Sequence, residues 1–281
     1  MKKTDFIVVR GAGDLATGTI HRLKKAGFHL LVLEAEYPAA IRRQVALSEA
    51  VYAGSAQVEG VKAVRMDVDL TDTENRKEAL WQEMERIWSK DAVPVLVDPE
   101  GVSISVLHPA VVVDAILAKK NLGTSRDMAP LTIALGPGFT AGADVDVVIE
   151  TKRGHNLGRV IRSGSAVPNS GIPGIIGGYG KERVMHAKAE GILRNAASIG
   201  DIVEAGTAIA EIETENGRVP VLASLSGLLR GLIRDGYPVT KGFKIADIDP
   251  RKEELQNCFT ISDKARCIAG SVLEVICGEM E

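Results

Sequence analysis

Residues 187–212 and 223–248 align at an offset of 36 with ten identities, and this repeat constrains the fold of the 281-residue chain more than any other feature. Ala187, Gly191, Leu193, Arg194 and Gly200 match Ala223, Gly227, Leu229, Arg230 and Gly236. Val203, Gly206, Ile209, Ala210 and Ile212 then match Val239, Gly242, Ile245, Ala246 and Ile248. Glycines at fixed places between alternating apolar residues mark turns between short strands, so the segment predicts two copies of one β-unit. Two such copies can cover one another's apolar faces.

Upstream the pattern changes. From Thr4 to about Glu150 short apolar runs alternate with helical periodicity, which is how a parallel α/β sheet reads. "DFIVVR" predicts the first strand, residues 14–26 a helix, and "FHLLVLE" the second strand, with further buried strands at "VPVLVD" and "LTIALG". Leu80, Met84, Ile87 and Trp88 share a helical face within 73–89. "HPAVVVDAILAKK" (108–120) predicts another helix, with Pro109 in its first turn. At the C-terminus, Thr260 or Ser262 is placed to cap a helix whose apolar face is Ala265, Ile268, Ala269, Val272 and Ile276. The stretch "GSAVPNSGIPGIIGGYG" is too rich in glycine for a helix and too apolar for a flexible linker. It reads as an ordered loop that connects domains or offers backbone N–H groups to an anion. The expected organisation is a Rossmann-like parallel-sheet domain over 1–150 and a glycine-rich connection over 151–186. A small β domain over 187–250 follows, and a helix within 251–281 returns to the first domain.

The chemistry-bearing motif is "IVVRGAGDLATG". A strand ending at Gly11, the spacing Gly11-x-Gly13-x-x-Ala16 and a following helix supply the tight turn and open helix start that a pyrophosphate needs. Glu34, at the end of the second strand, is placed to accept hydrogen bonds from ribose hydroxyls. Asp14 complicates this reading, because a carboxylate suits the helix dipole but repels a phosphate at the same amides. The candidate cofactor-binding residues are therefore Gly11, Gly13, Asp14, Ala16 and Glu34, with a purely structural turn as the alternative.

Other candidates carry less pattern. Asp98 and Glu100 follow a strand where α/β proteins place functional carboxylates, or they form an ordinary turn. His108 and His155 lack neighbouring metal-ligand spacing. Arg42 and Arg43 suit either an anion or a solvated face. Three cysteines occur: Cys258 precedes the last helix and is the candidate reactive thiol, while Cys267 and Cys277 on the helix read as buried or idle. No metal site is expected. A net charge of −3 without a basic stripe argues against nucleic-acid binding. With no run of about 18 apolar residues, no membrane span is expected and a cytoplasmic protein is the default.

The repeat copies "GDIVEAGTAIAEI" and "GYPVTKGFKIADI" resemble the two halves of a lipoyl/biotinyl-type barrel-sandwich domain. The turn "ETENGR", where that family carries its modified lysine, has none, so the resemblance implies the fold without swinging-arm chemistry. More extensively, "RGAGDLATG", "AIRRQVALSEAVY", "GPGFTAGADVDVVIETKRGHNLGRVI", "PNSGIPG" and "TISDKARCIAGSVLEVI" resemble the YqeB-type family. Its members are named as accessory proteins of selenium-dependent molybdenum hydroxylases. The resemblance implies a maturation factor that binds a nucleotide or the phosphate-bearing molybdenum cofactor and docks on its hydroxylase client. It supplies no catalytic residue. The alternative is an NAD(P)-dependent oxidoreductase, for which the glycine turn and Glu34 speak but no acid–base constellation does.

Overall fold

The computed structural model describes residues 6–171 and 173–279. The N-terminal lysines and Asp5 of the first expected strand, and Ile172 of the glycine-rich loop, lie outside the described residues. The chain forms two compact units, one of Met1–Pro38, Ala46–Asn169 and Ile261–Glu281, the other of Ala39–Val45 and Ser170–Thr260.

The first unit is built on β1 (Ile7–Arg10), β2 (Leu30–Glu34), β3 (Ser55–Val58), β4 (Val61–Arg65), β5 (Val93–Val97) and β6 (Val111–Asp114). It continues with β7 (Leu131–Leu135), β8 (Thr140–Ala141), β9 (Val147–Ile149), β10 (Val160–Ile161) and β11 (Gly164–Ser165). Its helices are α1 (Asp14–Lys25), α2 (Ala50–Ala53), α3 (Arg76–Trp88), α4 (Val102–Leu107) and α5 (Asp263–Glu279). Nine strands form one sheet in the order β10-β9-β7-β6-β1-β2-β5-β4-β3, while β8 and β11 pair separately. Ile7, Val8 and Val9 are all buried, as are Val111, Val112 and Val113. Strands covered on both faces read as unbroken apolar runs for this reason.

The sheet is mixed. Its central strands run parallel, but β3 returns antiparallel to β4 and β10 antiparallel to β9. The β3–β4 hairpin closes through Glu59 and Gly60, both at positive φ, the geometry of a two-residue turn that matches strand twist. The expected helix over 108–120 is instead β6, because three successive valines, stiff at χ1, pack on a pleated surface. That exchange leaves only a short 3-10 turn, Arg126–Met128, between β6 and β7. The expectation of a Rossmann-like parallel-sheet domain with a barrel-sandwich domain is thus corrected: the fold is a mixed nine-stranded α/β sheet accompanied by separate antiparallel sheets.

Phe6, Val8, Leu31, Leu33 and Leu96 share a core with Leu80, Met84 and Ile87 of α3. α1 and α5 pack together where Gly18 carries no side chain; a Cβ there would lie 2.7 Å from that of Ala265. Ser262 accepts a hydrogen bond from the Ala265 amide at 3.2 Å and caps α5. The apolar positions Ala265, Ile268, Ala269, Val272 and Ile276 are all buried.

The second unit contains β12 (Val184–His186), β13 (Gly191–Asn195), β14 (Ile202–Val203), β15 (Ala208–Thr214), β16 (Gly217–Leu222), β17 (Gly227–Leu232), β18 (Pro238–Val239) and β19 (Lys244–Asp249). They form two antiparallel sheets, β12-β19-β17-β14 and β16-β15-β13-β18. The sequence repeat is a structural one: β13, β14 and β15 correspond to β17, β18 and β19. Each copy lends a strand to the other, since β14 pairs with β17 and β18 with β13. The matched glycines share one cause. A Cβ on Gly191 would collide with the Glu213 carbonyl, and one on Gly227 with the Asp249 carbonyl of the neighbouring strand. Leu193, Ile209, Ile212, Leu229, Ile245 and Ile248 fill the common core.

Candidate functional site: charged strand ends and a glycine turn

Several central strands of the nine-stranded sheet end in, or are followed by, a charged residue at the carboxyl edge: Arg10, Glu34, Asp98, Asp114 and Glu150. Each carboxylate accepts hydrogen bonds from the protein's own backbone amides, and Asp98 and Asp114 from hydroxyls as well. Asp98 accepts the Val102 and Ser103 amides at 2.9 and 2.8 Å and the Ser103 hydroxyl at 2.6 Å, which caps α4. Glu150 accepts the Lys152 amide at 2.7 Å and the Val167 amide at 2.8 Å. Asp114 accepts the Thr124 hydroxyl at 2.6 Å and the Ile116 amide at 3.1 Å. Arg10, 1% exposed, donates to the Thr124 hydroxyl and to the Pro99 carbonyl, at 2.5 and 2.8 Å. Burial raises the Asp114 carboxyl above its ordinary range, opposed by Thr124, the Ile116 amide and the charge of Arg10.

The glycine turn sits on this edge. Gly11 has φ +96°, and a Cβ on it would lie 2.9 Å from the Ala115 carbonyl oxygen, so only glycine fits. Its amide donates to the Leu33 carbonyl at 2.7 Å. The Ala12 carbonyl accepts the Thr17 hydroxyl at 3.1 Å and the Ser48 amide at 2.9 Å. Gly13 is different: it holds the N-cap position of α1 in extended conformation, with no side-chain cap and open space where a Cβ would stand. The first-turn amides of α1 therefore begin at a half-exposed position with the positive end of the helix dipole behind them.

Gly11, Gly13, Asp14, Ala16 and Glu34 are thus brought together. Ala16 is buried beneath the turn. Glu34 braces it: one carboxylate oxygen accepts the Ala12 amide and the other the Ala35 amide, both at 2.7 Å. Burial raises this carboxyl, and the two amides oppose the rise. Both oxygens serve the protein's own backbone, which is a different task from reaching a ribose. The charge of Asp14 meets Lys264, half-buried in the first turn of α5. Burial and then the charge of Arg153 lower the Lys264 pKa, while Asp14, Glu150 and Asp263 act against that. Sequence reasoning missed Arg10, Asp114, Thr124, Glu150 and Lys264. The signal for three of them was present, since "IVVR", "VVVD" and "VVIE" are apolar runs closed by a charge. Thr124 and Lys264 carry no such mark.

Other candidates stand elsewhere. Glu100 and His155 are exposed. Arg42 donates to the Asn257 and Thr260 carbonyls at 2.7 and 3.1 Å, and Arg43 to the Leu232 carbonyl at 2.7 Å, so both hold backbone of the second unit. The cysteine expectation is reversed. Cys258 is buried in the second unit's core, and burial pushes its thiol up despite Arg230 and Arg42 nearby. Cys267 and Cys277 are the exposed thiols. Among the described residues no three His, Cys, Asp or Glu side chains converge as metal ligands, and no helix is long and apolar enough to cross a membrane.

No protein-family model matches the chain. It is 49% identical over 272 residues to the uncharacterized protein YqeB of Escherichia coli (strain K12), a homologue; the match covers 96% of this chain and 47% of YqeB. The chain therefore spans about half the length of the curated relative it matches. Among solved structures, the apo ectoine utilization protein EutE (DoeB) of Ruegeria pomeroyi is 9% identical with a TM-score of 0.27, covering 87% of this chain and 86% of that one. An aspartoacylase family protein of Mesorhizobium loti is 12% identical with a TM-score of 0.29, covering 87% and 84%. Likeness at this level carries no weight for activity.

Proposed function

We propose that this chain is part of an accessory factor acting in the cytoplasm in the maturation of a selenium-dependent molybdenum hydroxylase. In this reading it holds a nucleotide, or the phosphate-bearing molybdenum cofactor, at the Gly11–Ala16 turn and presents it to the hydroxylase client. The observation that carries the ligand reading is the uncapped start of α1 at Gly13, which leaves room for a phosphate where any side chain would intrude. Lys264 supports it through its charge, which acts on Asp14 and partly offsets the carboxylate that would repel a phosphate. The maturation role is supported by the long segments that resemble the YqeB-type family, together with 49% identity to YqeB. The commitment of Glu34 to two amides weighs against a dinucleotide oxidoreductase.

The test is mass spectrometry of small molecules released from the protein purified from its native host, followed by calorimetry with the released compound. A phosphate-bearing compound that rebinds wild type and fails to rebind folded Gly13→Val supports the reading. Release of no phosphate compound, together with no heat on titrating inorganic pyrophosphate, overturns it.

A further inference from the structure

The strand order of the nine-stranded sheet reverses between β1 and β6, since the sheet runs from β1 to β2 on one side and from β6 to β7 on the other. In an open α/β sheet ligands sit in the crevice outside the carboxyl ends of the strands at such a point. One wall of that crevice is the glycine turn after β1. The other is the segment after β6, residues 115–124. The two walls touch at their base, where a Cβ on Gly11 would lie 3.0 Å from the Ile116 Cα.

The second wall is pinned at both ends by Arg10. The Ala115 amide donates to the Arg10 carbonyl at 2.8 Å, and the Arg10 guanidinium donates to the Thr124 hydroxyl and, at 3.5 Å, to the Leu122 carbonyl. The Asn121 side chain accepts the Gly123 and Thr124 amides at 2.9 and 2.8 Å. Gly138, from the segment after β7, lies so close that a Cβ on it would stand 2.7 Å from the backbone nitrogen and Cα of Lys120. Between these anchors the chain is strained: Leu117 and Lys119 hold φ of 61° and 64°, in the left-handed region that L-residues avoid. Strain of this kind persists only where the surrounding structure enforces it, and it gathers at ligand clamps. The strained stretch presents Lys119 and Lys120, both exposed. Among the described residues, no hydrogen bond or ion pair engages either ammonium.

We propose that residues 117–120 form the working face of this second wall, and that Lys119 and Lys120 hold the outer phosphate of a diphosphate-bearing ligand whose inner phosphate sits at the glycine turn. Lysine serves phosphate as a point charge on a flexible stem, so it suits the more mobile, outer group, while fixed backbone amides suit the inner one. A monophosphate at the turn leaves both lysines unused. The inference rests on the phosphate reading of the glycine turn and adds the ligand's class to it.

The probes are inorganic pyrophosphate and inorganic orthophosphate, titrated by calorimetry into the full chain at fixed ionic strength. Wild type is expected to bind pyrophosphate more tightly. Lys119→Gln combined with Lys120→Gln is expected to lose about tenfold or more in pyrophosphate affinity, as for lost hydrogen bonds to a charged group, and to keep its orthophosphate affinity. Lys119→Gly is expected to weaken pyrophosphate binding while the melting temperature holds or rises, because glycine relaxes the left-handed position. That variant separates use of the side chain from a folding effect. Equal affinity of wild type for the two probes, unchanged pyrophosphate affinity in either lysine variant, or an equal loss for both probes in the double variant would overturn the inference. Where Gly13→Val still loses both probes in those cases, the phosphate reading of the turn stands without it. No binding of either probe by wild type, or full retention of both by Gly13→Val, overturns the two together.

Discussion

Gly11 and Gly13 lie two residues apart in one turn, yet substitutions at them are expected to act on different quantities. Adding a side chain to Gly11 forces an L-residue to φ +96°, at about 1–2 kcal/mol. It also drives a Cβ to 2.9 Å from the Ala115 carbonyl oxygen and 3.0 Å from the Ile116 Cα. Both are backbone atoms of a segment entered from a central strand, so they yield poorly, and overpacking adds roughly 1–3 kcal/mol. Gly11→Ala should therefore lose about 2–5 kcal/mol of folding stability. Gly13 sits at φ −64° and ψ −176°, a conformation any residue adopts, with nothing within 4 Å of a Cβ. Gly13→Val replaces a favoured N-cap residue with a disfavoured one and should cost about 0.5–1 kcal/mol, well below the loss at Gly11. Its branched side chain stands over the first-turn amides of α1, so the main loss should fall on ligand affinity. Urea unfolding of both variants with linear extrapolation measures the first quantity, and calorimetry of Gly13→Val against wild type the second. Equal destabilisation by the two substitutions would refute the geometric reasoning. Wild-type ligand affinity in folded Gly13→Val would remove the turn from the binding site.

Glu34 should give a signed pH effect. Its folded pKa is raised above the ordinary 4.5, so the stability it contributes is full below that value and is lost as pH rises through the folded value. Glu34→Gln keeps one acceptor and loses the buried charge, so its unfolding free energy relative to wild type should increase as pH rises above the ordinary 4.5 towards the raised folded value; a difference flat in pH would count against burial as the dominant cause. Cys267 and Cys277 should react with iodoacetamide in the folded protein well before Cys258, and fast reaction at Cys258 would show that its burial is not maintained in solution. Arg10→Ala should cost about 1.5–3 kcal/mol, because it removes a charged donor from the buried Thr124 hydroxyl and from the Pro99 carbonyl. Asp114→Asn in the same background should recover part of that loss, and strict additivity of the two changes in a double-mutant cycle would mean they do not act as a unit.

What the sequence determined by itself was whatever depends on local spacing. The repeat, its turn glycines, the strands at "FHLLVLE" and "LTIALG", the α3 face and the Ser262 cap all follow from periods of two or 3.6 and from capping chemistry that a single chain segment carries. Tertiary structure decided the rest. "HPAVVVDAILAKK" reads as a helix along the chain, and only pairing with β1 and β7 made its valines β6. The same exchange removed an expected helix, and the antiparallel edge strands β3 and β10 turned the expected parallel fold into a mixed one. Glu34 stands where a ribose-binding carboxylate would stand in the linear pattern. Only in three dimensions do its two oxygens meet the Ala12 and Ala35 amides. Lys264 and Asp14 are 250 positions apart in sequence, and nothing local links them. The close approach of α1 and α5 at Gly18 puts both residues at the start of packed helices, where charge acts through space.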